Sequence, residues 1–430
     1  MENLNQKIGN AAVIGLGYVG LPLALLAAQK GWRVVGIDND PVKIGKLLAR
    51  ESPFLDKKVD EDLKTSSLEP TTDFKKVSDM DVIVICVPTP VTESHLPNLG
   101  PVRLSAKSIA PYIKPGQLIV LESTVNPGVC EEFILPILEE GSGMKAGKDF
   151  YLAHSPERIN PGDDKWNVEN TPRVVGSLEE RGLEKALAFY RSILTSEIKA
   201  MKSLKEAEAV KVVENSFRDV NIAFVNELAM SFSHLGIDVV NVIEGASTKP
   251  FSFLPHYPGC GVGGHCIPVD PYYLIDHAQK NGFNHEFLKL AREINNYMPA
   301  FTVKLVIEAL REKGFDPKKS VVAVLGLSYK ADIDDTRESP AFEIIDCLRE
   351  DGISVNTYDP FVVRLSTHTS LKDALEGAQA AVLATAHSEF KAMTPEDFKK
   401  HEIEIVVDGR NVFSKEEFIK AGIIYKGIGR

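Results

Sequence analysis

Gly15-Leu16-Gly17-Tyr18-Val19-Gly20 decides how the first half of this chain folds. Glycines fill its first, third and sixth positions. The strand-like run Ala11–Ile14 precedes it, and a helical stretch with Pro22 near its start follows. The next apolar run, Val34–Ile37, ends in Asp38. Glycine lets backbone approach a pyrophosphate closely, and a helix N-terminus supplies positive potential. A carboxylate at Asp38 can bond ribose hydroxyls and would repel a 2′-phosphate, which favours NAD over NADP. Gly15, Gly17, Tyr18, Val19, Gly20 and Asp38 are therefore the expected cofactor residues.

The same alternation continues to about residue 200. Val82–Val87, Leu118–Leu121, Tyr151–Ala153, Val174–Val175 and Glu197–Met201 read as strands, so a parallel, doubly wound sheet is expected. Ligands of such sheets lie beyond the carboxyl ends of the strands. Thr89 follows the third strand, and Glu122-Ser123-Thr124 follows the fourth. Thr89, Glu122 and Thr124 should thus line the cofactor crevice.

Composition agrees with an enzyme of this kind. The 430 residues exceed one ordinary core. Apolar and charged fractions of 44% and 25% are those of a globular protein. A net charge of -11 argues against a general nucleic-acid or membrane-surface binder. The five cysteines (Cys86, Cys130, Cys260, Cys266, Cys347) are scattered and odd in number, which suits a reducing cytosol. Ala11–Ala28 carries no charge, but its glycines and Pro22 make it strand, turn and helix rather than a signal or spanning segment.

From Lys205 to Leu235 the period becomes helical. Ala207, Val210, Val213, Phe217, Val220, Phe224, Leu228 and Phe232 recur at three- and four-residue intervals. Such a helix runs about 45 Å at 1.5 Å per residue, long enough to join domains or build a subunit interface. Its apolar surface predicts a homodimer or a multiple of it. A second helix spans Glu286 to Lys313. A third block begins near Asp316-Pro317, with strands Val321–Leu325 and Ser354–Tyr358 around the helix Phe342–Glu350, and Ala381–Ala384 and Ile405–Val407 beyond. This second βαβ unit also ends in an acid, Asp359, but lacks the three-glycine fingerprint. A ligand other than a dinucleotide is expected there. The fold is thus α/β, with two Rossmann-like doubly wound domains joined by a long central helix. The domains are 1–202 for NAD, 203–316 for the central helical and cysteine region, and 317–430 for a second ligand.

The chemistry centres on Gly263-Gly264-His265-Cys266-Ile267-Pro268-Val269-Asp270. A thiol nucleophile beside a nicotinamide site suits two successive hydride transfers, with the thiol capturing the aldehyde between them. The two glycines would let backbone approach a ligand. If a helix starts here, its dipole would favour the thiolate. A small buried cysteine is the alternative. His256, Cys260, His265, Cys266 and Asp270 match no common finger or ribbon spacing, so no metal is expected. Lys211 and Asn215, four apart, share a helix face. They read either as a pair aimed at an oxyanion or, more simply, as a solvated lysine with an incidental asparagine. Glu214 and Arg218 read as a surface pair. Glu157, in His154-Ser155-Pro156-Glu157-Arg158, reads equally as a crevice base or a solvated carboxylate. Lys330 and Arg337 are candidates for a diphosphate, although Arg337 stands among acids and would pair locally.

Taken together, the chain resembles the UDP-glucose/GDP-mannose dehydrogenase family over nearly its whole length. The likeness rests on GLGYVGLPLA, the ESTVNPG run at Glu122–Gly128, SPER at Ser155–Arg158, the lysine–asparagine helix, GGHCIPVDPYYL and GLSYKADIDDTRESP. The resemblance implies oxidation of the C6 alcohol of a UDP-sugar to a carboxylate with two NAD per turnover. It implies Cys266 as the nucleophile, Lys211 and Asn215 as oxyanion donors, Asp270 and Thr124 as water-positioning groups, and Glu157 as the base for thioester hydrolysis. It places Arg158, Phe253, Leu254, Tyr257, Gly263, Lys330 and Arg337 near the sugar nucleotide, with UDP in the C-terminal domain. The stretch Ser247–Leu254 with Tyr257-Pro258-Gly259 resembles the UDP-N-acetylglucosamine 6-dehydrogenase branch, a common form of which has glycine at Ser252 and proline at Cys260. Glucose and N-acetylmannosamine are the alternative sugars.

Overall fold

The computed structural model describes residues 8–54, 56–90, 92, 97–158 and 165–430. The chain divides into two compact units. The first comprises residues 1–214 and 272–283, and the second comprises 215–271 and 284–430.

The first unit is built on an eight-stranded sheet of order β3-β2-β1-β4-β5-β6-β7-β8. Its strands are β1 (Asn10–Ile14), β2 (Arg33–Ile37), β3 (Glu69–Thr71), β4 (Val82–Ile85), β5 (Leu118–Leu121), β6 (Tyr151–His154), β7 (Arg173–Ser177) and β8 (Ile198–Ala200). Ala11 and Val13 enter one apolar cluster and Ala12 and Ile14 another. With both faces covered, the strands read as unbroken apolar runs, as parallel strands do. The sequence missed β3, whose Glu-Pro-Thr has no apolar run to find. The expectation of a parallel sheet fails at one place: β7 runs antiparallel to β6, pairing Ala153 with Ser177 and His154 with Gly176. The segment between these strands carries no crossover helix among its described residues, and a parallel return needs one.

The second unit holds a five-stranded parallel sheet of order β10-β9-β11-β12-β13. Its strands are β9 (Val321–Leu325), β10 (Ser354–Tyr358), β11 (Ala380–Leu383), β12 (Ile405–Asp408) and β13 (Ile424–Gly427). Val322 and Val324 face one core, Ala323 and Leu325 the other.

The helix α1 spans Gly20–Gln29, and α2 is a single helix from Leu204 to Leu235. Helix α3 spans Asp270–Lys280 and α4 spans Glu286–Lys313. The apolar stripe read on α2 is only partly buried: Ala207 is buried, and Leu228 and Phe232 pack on a core cluster. Phe217 and Phe224 are about half exposed, whereas Asn215, Ser216, Asp219 and Asn226 are buried. Two of those residues bond to α4. Asn226 Nδ2 donates to Asn295 Oδ1 at 2.8 Å, and Asp219 Oδ1 accepts from Arg292 at 2.6 Å and from Asn295 at 2.8 Å. Asp219 and Asn226 can be buried because α4 satisfies them.

Ser252 has φ +61°. There an L side chain crowds the next carbonyl, at a cost of about 1–2 kcal/mol. Glycine removes the clash but loses about 0.5–1 kcal/mol more chain entropy. Ser252→Gly should therefore stabilise by about 0.5–1 kcal/mol and raise Tm by roughly 1–4 °C in scanning calorimetry. A lowered Tm would show that the serine is held there by contacts worth more than the strain.

Candidate active site

The fingerprint turn is fixed by three glycines that do different work. Gly15 has φ +89°, and a Cβ on it would lie 2.8 Å from Cys86 O. A Cβ on Gly20 would lie 2.0 Å from Gly15 O, so this glycine sets the close approach of α1 to the strand. A Cβ on Gly17 would meet no atom of the chain within 4 Å. That open position at the start of α1 is where a pyrophosphate needs bare backbone. Asp38 is buried, and its Oδ2 accepts from Leu16 N–H at 2.8 Å and from Lys43 Nζ at 2.7 Å, while Oδ1 accepts from Asp40 N–H at 3.0 Å. A carboxylate accepts about four such bonds, so capacity remains for a ribose hydroxyl. The turn and Asp38 thus fit a dinucleotide. Lys43 was not anticipated. It fixes the carboxylate and offsets part of its charge.

Beyond β4, β5 and β6 lies a buried ionic cluster. The fully buried Arg173 guanidinium donates from Nη2 to Glu157 Oε2 at 2.5 Å. Its Nη1 forms an ion pair with Glu122 Oε1 at 2.9 Å. Tyr190 donates its hydroxyl to the same Glu122 oxygen at 2.5 Å, and Arg158 N–H donates to Glu157 Oε1 at 2.6 Å. Burial raises the pKa of Glu122, with Arg173 pulling against it. Burial also opposes the charge on Arg173, but Glu122 and Glu157 outweigh this and raise its pKa. Removing one member of such a pair leaves an uncompensated buried charge, a loss of about 3–5 kcal/mol. Glu157 is therefore neither a solvated loop carboxylate nor solitary. Sequence reading missed Arg173 because it heads an apolar strand with no motif around it. The only signal was a charged residue directly before a run with no polar face.

Thr89 O accepts from the Tyr273 hydroxyl, and Ser123 Oγ donates to Val87 O at 2.7 Å. These bonds fix the loops that carry Thr89 and Thr124. Glu208, from the first turns of α2, accepts from the backbone N–H of Gly128 at 2.5 Å and of Cys130 at 2.8 Å. Buried Cys130, His154 and Glu208 stand together. Burial pushes His154 down to about 3 and the Cys130 thiol well up. Among the described residues, this is where metal-ligating groups gather; the His256–Asp270 set forms no such cluster. Lys211 is half-buried and forms no ion pair among the described residues. Glu214 pairs with Arg158, Nε to Oε2 at 3.2 Å, and not with Arg218 as the helical spacing suggested.

In the second unit, Asn215 and Asp270 are both buried, and Asn215 Nδ2 donates to Asp270 Oδ2 at 2.5 Å. Asp270 opens α3, and its N–H donates to Cys266 O at 2.8 Å. Cys266 is half-buried one turn upstream of the helix start, so the helix begins at Asp270 and not at the cysteine. The preceding glycines are required: a Cβ on Gly264 would lie 2.8 Å from the Tyr329 ring, and one on Gly263 2.7 Å from Glu338 O. Gly264 N–H also donates to Arg337 O at 3.0 Å. The cysteine loop is thus seated on the segment holding Lys330 and Arg337. Arg337 forms a two-pronged pair with Asp335, with Nε 2.9 Å from Oδ1. Burial, with the Asp335 charge, raises the Tyr329 phenol to about 12. Leu254 and Tyr257 are exposed and Phe253 and Gly263 half-buried. Cys260 is buried and its N–H donates to Gly409 O at 3.0 Å, a bond that proline could not make.

Asp359 repeats the Asp38 arrangement beside Gly326, whose φ is +91°. It accepts from Leu327 N–H at 2.6 Å, Ser328 N–H at 2.8 Å and Phe361 N–H at 2.8 Å. His387 Nε2 closes it at 2.9 Å. Burial alone would raise this carboxyl, but His387 and the backbone donors hold it at about 2.

Three successive matches span most of the chain. Residues 9–194 match the NAD binding domain of the UDP-glucose/GDP-mannose dehydrogenase family, 205–297 its central domain, and 323–415 its UDP binding domain. The chain belongs to this family. It is an NAD-dependent UDP-sugar dehydrogenase. It is 38% identical to the UDP-N-acetyl-D-mannosamine dehydrogenase of Pyrococcus horikoshii over 97% of this chain and 99% of that one. It is also 38% identical to the UDP-N-acetyl-D-glucosamine 6-dehydrogenase of Pseudomonas aeruginosa over 90% and 93%. A solved structure of the Pyrococcus horikoshii UDP-N-acetylmannosamine dehydrogenase superposes with a TM-score of 0.92, covering 98% of this chain and 99% of that one. Among the described residues, no helix is long and apolar enough to cross a membrane.

The two glycines separate binding from folding. Gly17→Ala should fold normally and lose roughly tenfold or more in NAD affinity by calorimetric titration, as bare backbone at the helix N-terminus is what the pyrophosphate needs. Gly20→Ala should lower Tm, because its Cβ would collide with backbone. Native NAD affinity in Gly17→Ala would remove this turn from the cofactor site.

Proposed function

We propose that this enzyme oxidises the C6 alcohol of a UDP-N-acetylhexosamine to the acid through a thioester on Cys266. The observation that carries the reading is the buried Asn215–Asp270 pair in the same unit as the cysteine, with Asp270 bonded to the cysteine backbone. NAD, when bound, takes up a hydride at each of the two oxidations. Loss of hydride and proton from the alcohol gives the aldehyde. The Cys266 thiolate adds to its carbonyl, and the second N–H of Asn215 together with the Lys211 ammonium stabilises the oxyanion. The second hydride loss leaves a thioester. Water held by Asp270 and Thr124, with its proton taken by Glu157, cleaves it and frees the thiol. Arg158, Phe253, Leu254, Tyr257, Gly263, Lys330 and Arg337 are assigned to the sugar nucleotide by resemblance. The domains are assigned as 1–202, 203–316 and 317–430. A reducing, cytoplasmic setting suits the thiol.

The sequence around Ser247–Leu254 favours the gluco epimer. The extent of the likeness to the Pyrococcus horikoshii protein favours the manno epimer. Both carry the acetamido group. A site built to bond an amide rejects a ligand lacking it by up to ~10⁴-fold. A panel of UDP-sugars followed by NADH absorbance should therefore place one N-acetylhexosamine well above UDP-glucose in kcat/KM. A preference for UDP-glucose would overturn the acetamido assignment. Cys266→Ala should lose acid formation while keeping NAD binding. Cys266→Ser should slow acid formation strongly and can trap an acyl-enzyme visible by intact mass. Near-native two-NADH turnover in Cys266→Ala would remove the thiol from the chemistry.

We infer also that the enzyme is a homodimer, or a multiple of it, built on α2. Phe217 and Phe224 on α2, with Phe287 and Leu290 on α4, leave large apolar side chains about half exposed or more in the single chain, more than a monomer usually presents. Phe217→Glu combined with Phe224→Glu should shift light scattering from dimer toward monomer at micromolar concentration. An active native monomer would count decisively against this interface.

A further inference from the structure

The reversed strand puts a charged residue where a parallel one could not. In β7 the pairing of Ala153 with Ser177 and His154 with Gly176 fixes the register. Continuing it by three residues sets Arg173 opposite Glu157. Had β7 run parallel, its first residue would lie at the amino edge of the sheet, about 13 Å away at 3.3 Å per residue. Antiparallel, it begins at the carboxyl edge, where Glu122 and Glu157 follow β5 and β6.

The side chain then completes an arrangement with little freedom. Glu157 is held on Oε2 by the Arg173 guanidinium and on Oε1 by Arg158 N–H. Glu122 stands on the other arm of the guanidinium, with the Tyr190 hydroxyl on its near oxygen. The guanidinium lies over the Tyr190 ring at 5.3 Å. A planar fork that cannot deprotonate sets both the direction and the charge of its partners, which a flexible ammonium does less well. A base must stand within hydrogen-bond reach of the proton it takes, and misplacement by about an ångström can cost roughly a hundredfold.

We propose that Arg173 is a positioning residue for the hydrolytic half of the reaction, fixing the Glu157 carboxylate toward the water that cleaves the thioester. This rests on the reading of Glu157 as the hydrolytic base. It predicts a defect confined to one step. Arg173→Lys and Arg173→Gln, mixed rapidly with NAD and the preferred UDP-sugar, should give a burst of two NADH per site at near-native rate. Steady turnover should then fall at least ~100-fold, with KM falling alongside it so that kcat/KM stays within a few-fold, the acyl-enzyme mass accumulating, and Arg173→Lys slowed less than Arg173→Gln. Where Arg173→Gln does not fold, the charge-preserving Arg173→Lys carries the same test. Steady turnover within about threefold of native in a folded variant overturns the proposal, since loss of a positioned base costs far more. So does a burst that falls in parallel with turnover, since that marks a general loss of structure or cofactor binding. Glu157→Gln, run beside them, separates the two claims. If it turns over normally, the Glu157 reading has failed, and this proposal with it. If it stalls at the acyl-enzyme while Arg173→Lys does not, only the role of Arg173 has failed.

Discussion

Both sheets depend on one bond: an acid at the end of the second strand of a βαβ unit accepts the N–H that follows a left-handed glycine. Asp38 does so for Leu16 and Asp359 for Leu327. In each case a glycine with φ near +90° turns the chain sharply off the first strand. The turn exposes a backbone donor inside the protein, where an unmet N–H costs as much as a lost hydrogen bond. The acid meets it and ties two neighbouring strands at their carboxyl ends. What distinguishes the two units is the remaining capacity of the acid. Asp38 keeps an accepting position and has Lys43 beside it. Asp359 is closed by His387 and further backbone donors. The first can take a ribose hydroxyl; the second is committed to its own fold.

The long helix α2 follows from a similar rule about satisfied polar groups. Its buried face carries Glu208, Asn215, Asp219 and Asn226, each bonded to a neighbouring segment. Hydrophobic periodicity reads the face that gathers apolar residues as the core. Here that face is divided: Ala207 is buried and Leu228 and Phe232 pack on the core, while Val213, Phe217 and Phe224 are exposed in the single chain. The period was right but it left the buried polar groups unseen, because no count of apolar residues registers an asparagine that α4 is placed to satisfy.

The fold was legible where signals were local. The glycine fingerprint, the apolar strands and the acids ending them can each be read within a short stretch of sequence. The glycines before Cys266 were legible as a place of close approach, but the neighbours that crowd them are Tyr329 and Glu338 of the chain itself, where the sequence led one to expect a ligand. Arg173 was not. Its role depends on which way β7 runs, and strand direction is set by a connection whose length says little. Asn215 was undervalued because its partner lies 55 residues away. The pairing of Glu214 with Arg158 instead of Arg218 shows the limit of helical spacing, as an i,i+4 neighbour is only one competitor for a charge.

The division of the chain into units has a consequence for how the protein can be taken apart. The boundary is crossed three times, within α2, inside the first turn of α3 and just before α4. Residues 272–283 belong to the first unit, and Tyr273 is bonded there to Thr89, 184 positions away. A fragment ending at Glu214 would thus lack a piece of its own core, and a fragment beginning at Asn215 would carry a stranded one. The units are compact yet neither is a continuous stretch of polypeptide. Synthesis from the N-terminus must therefore pass Tyr273 before the first unit can close, and gene segments encoding either unit cannot be exchanged between relatives at a single junction.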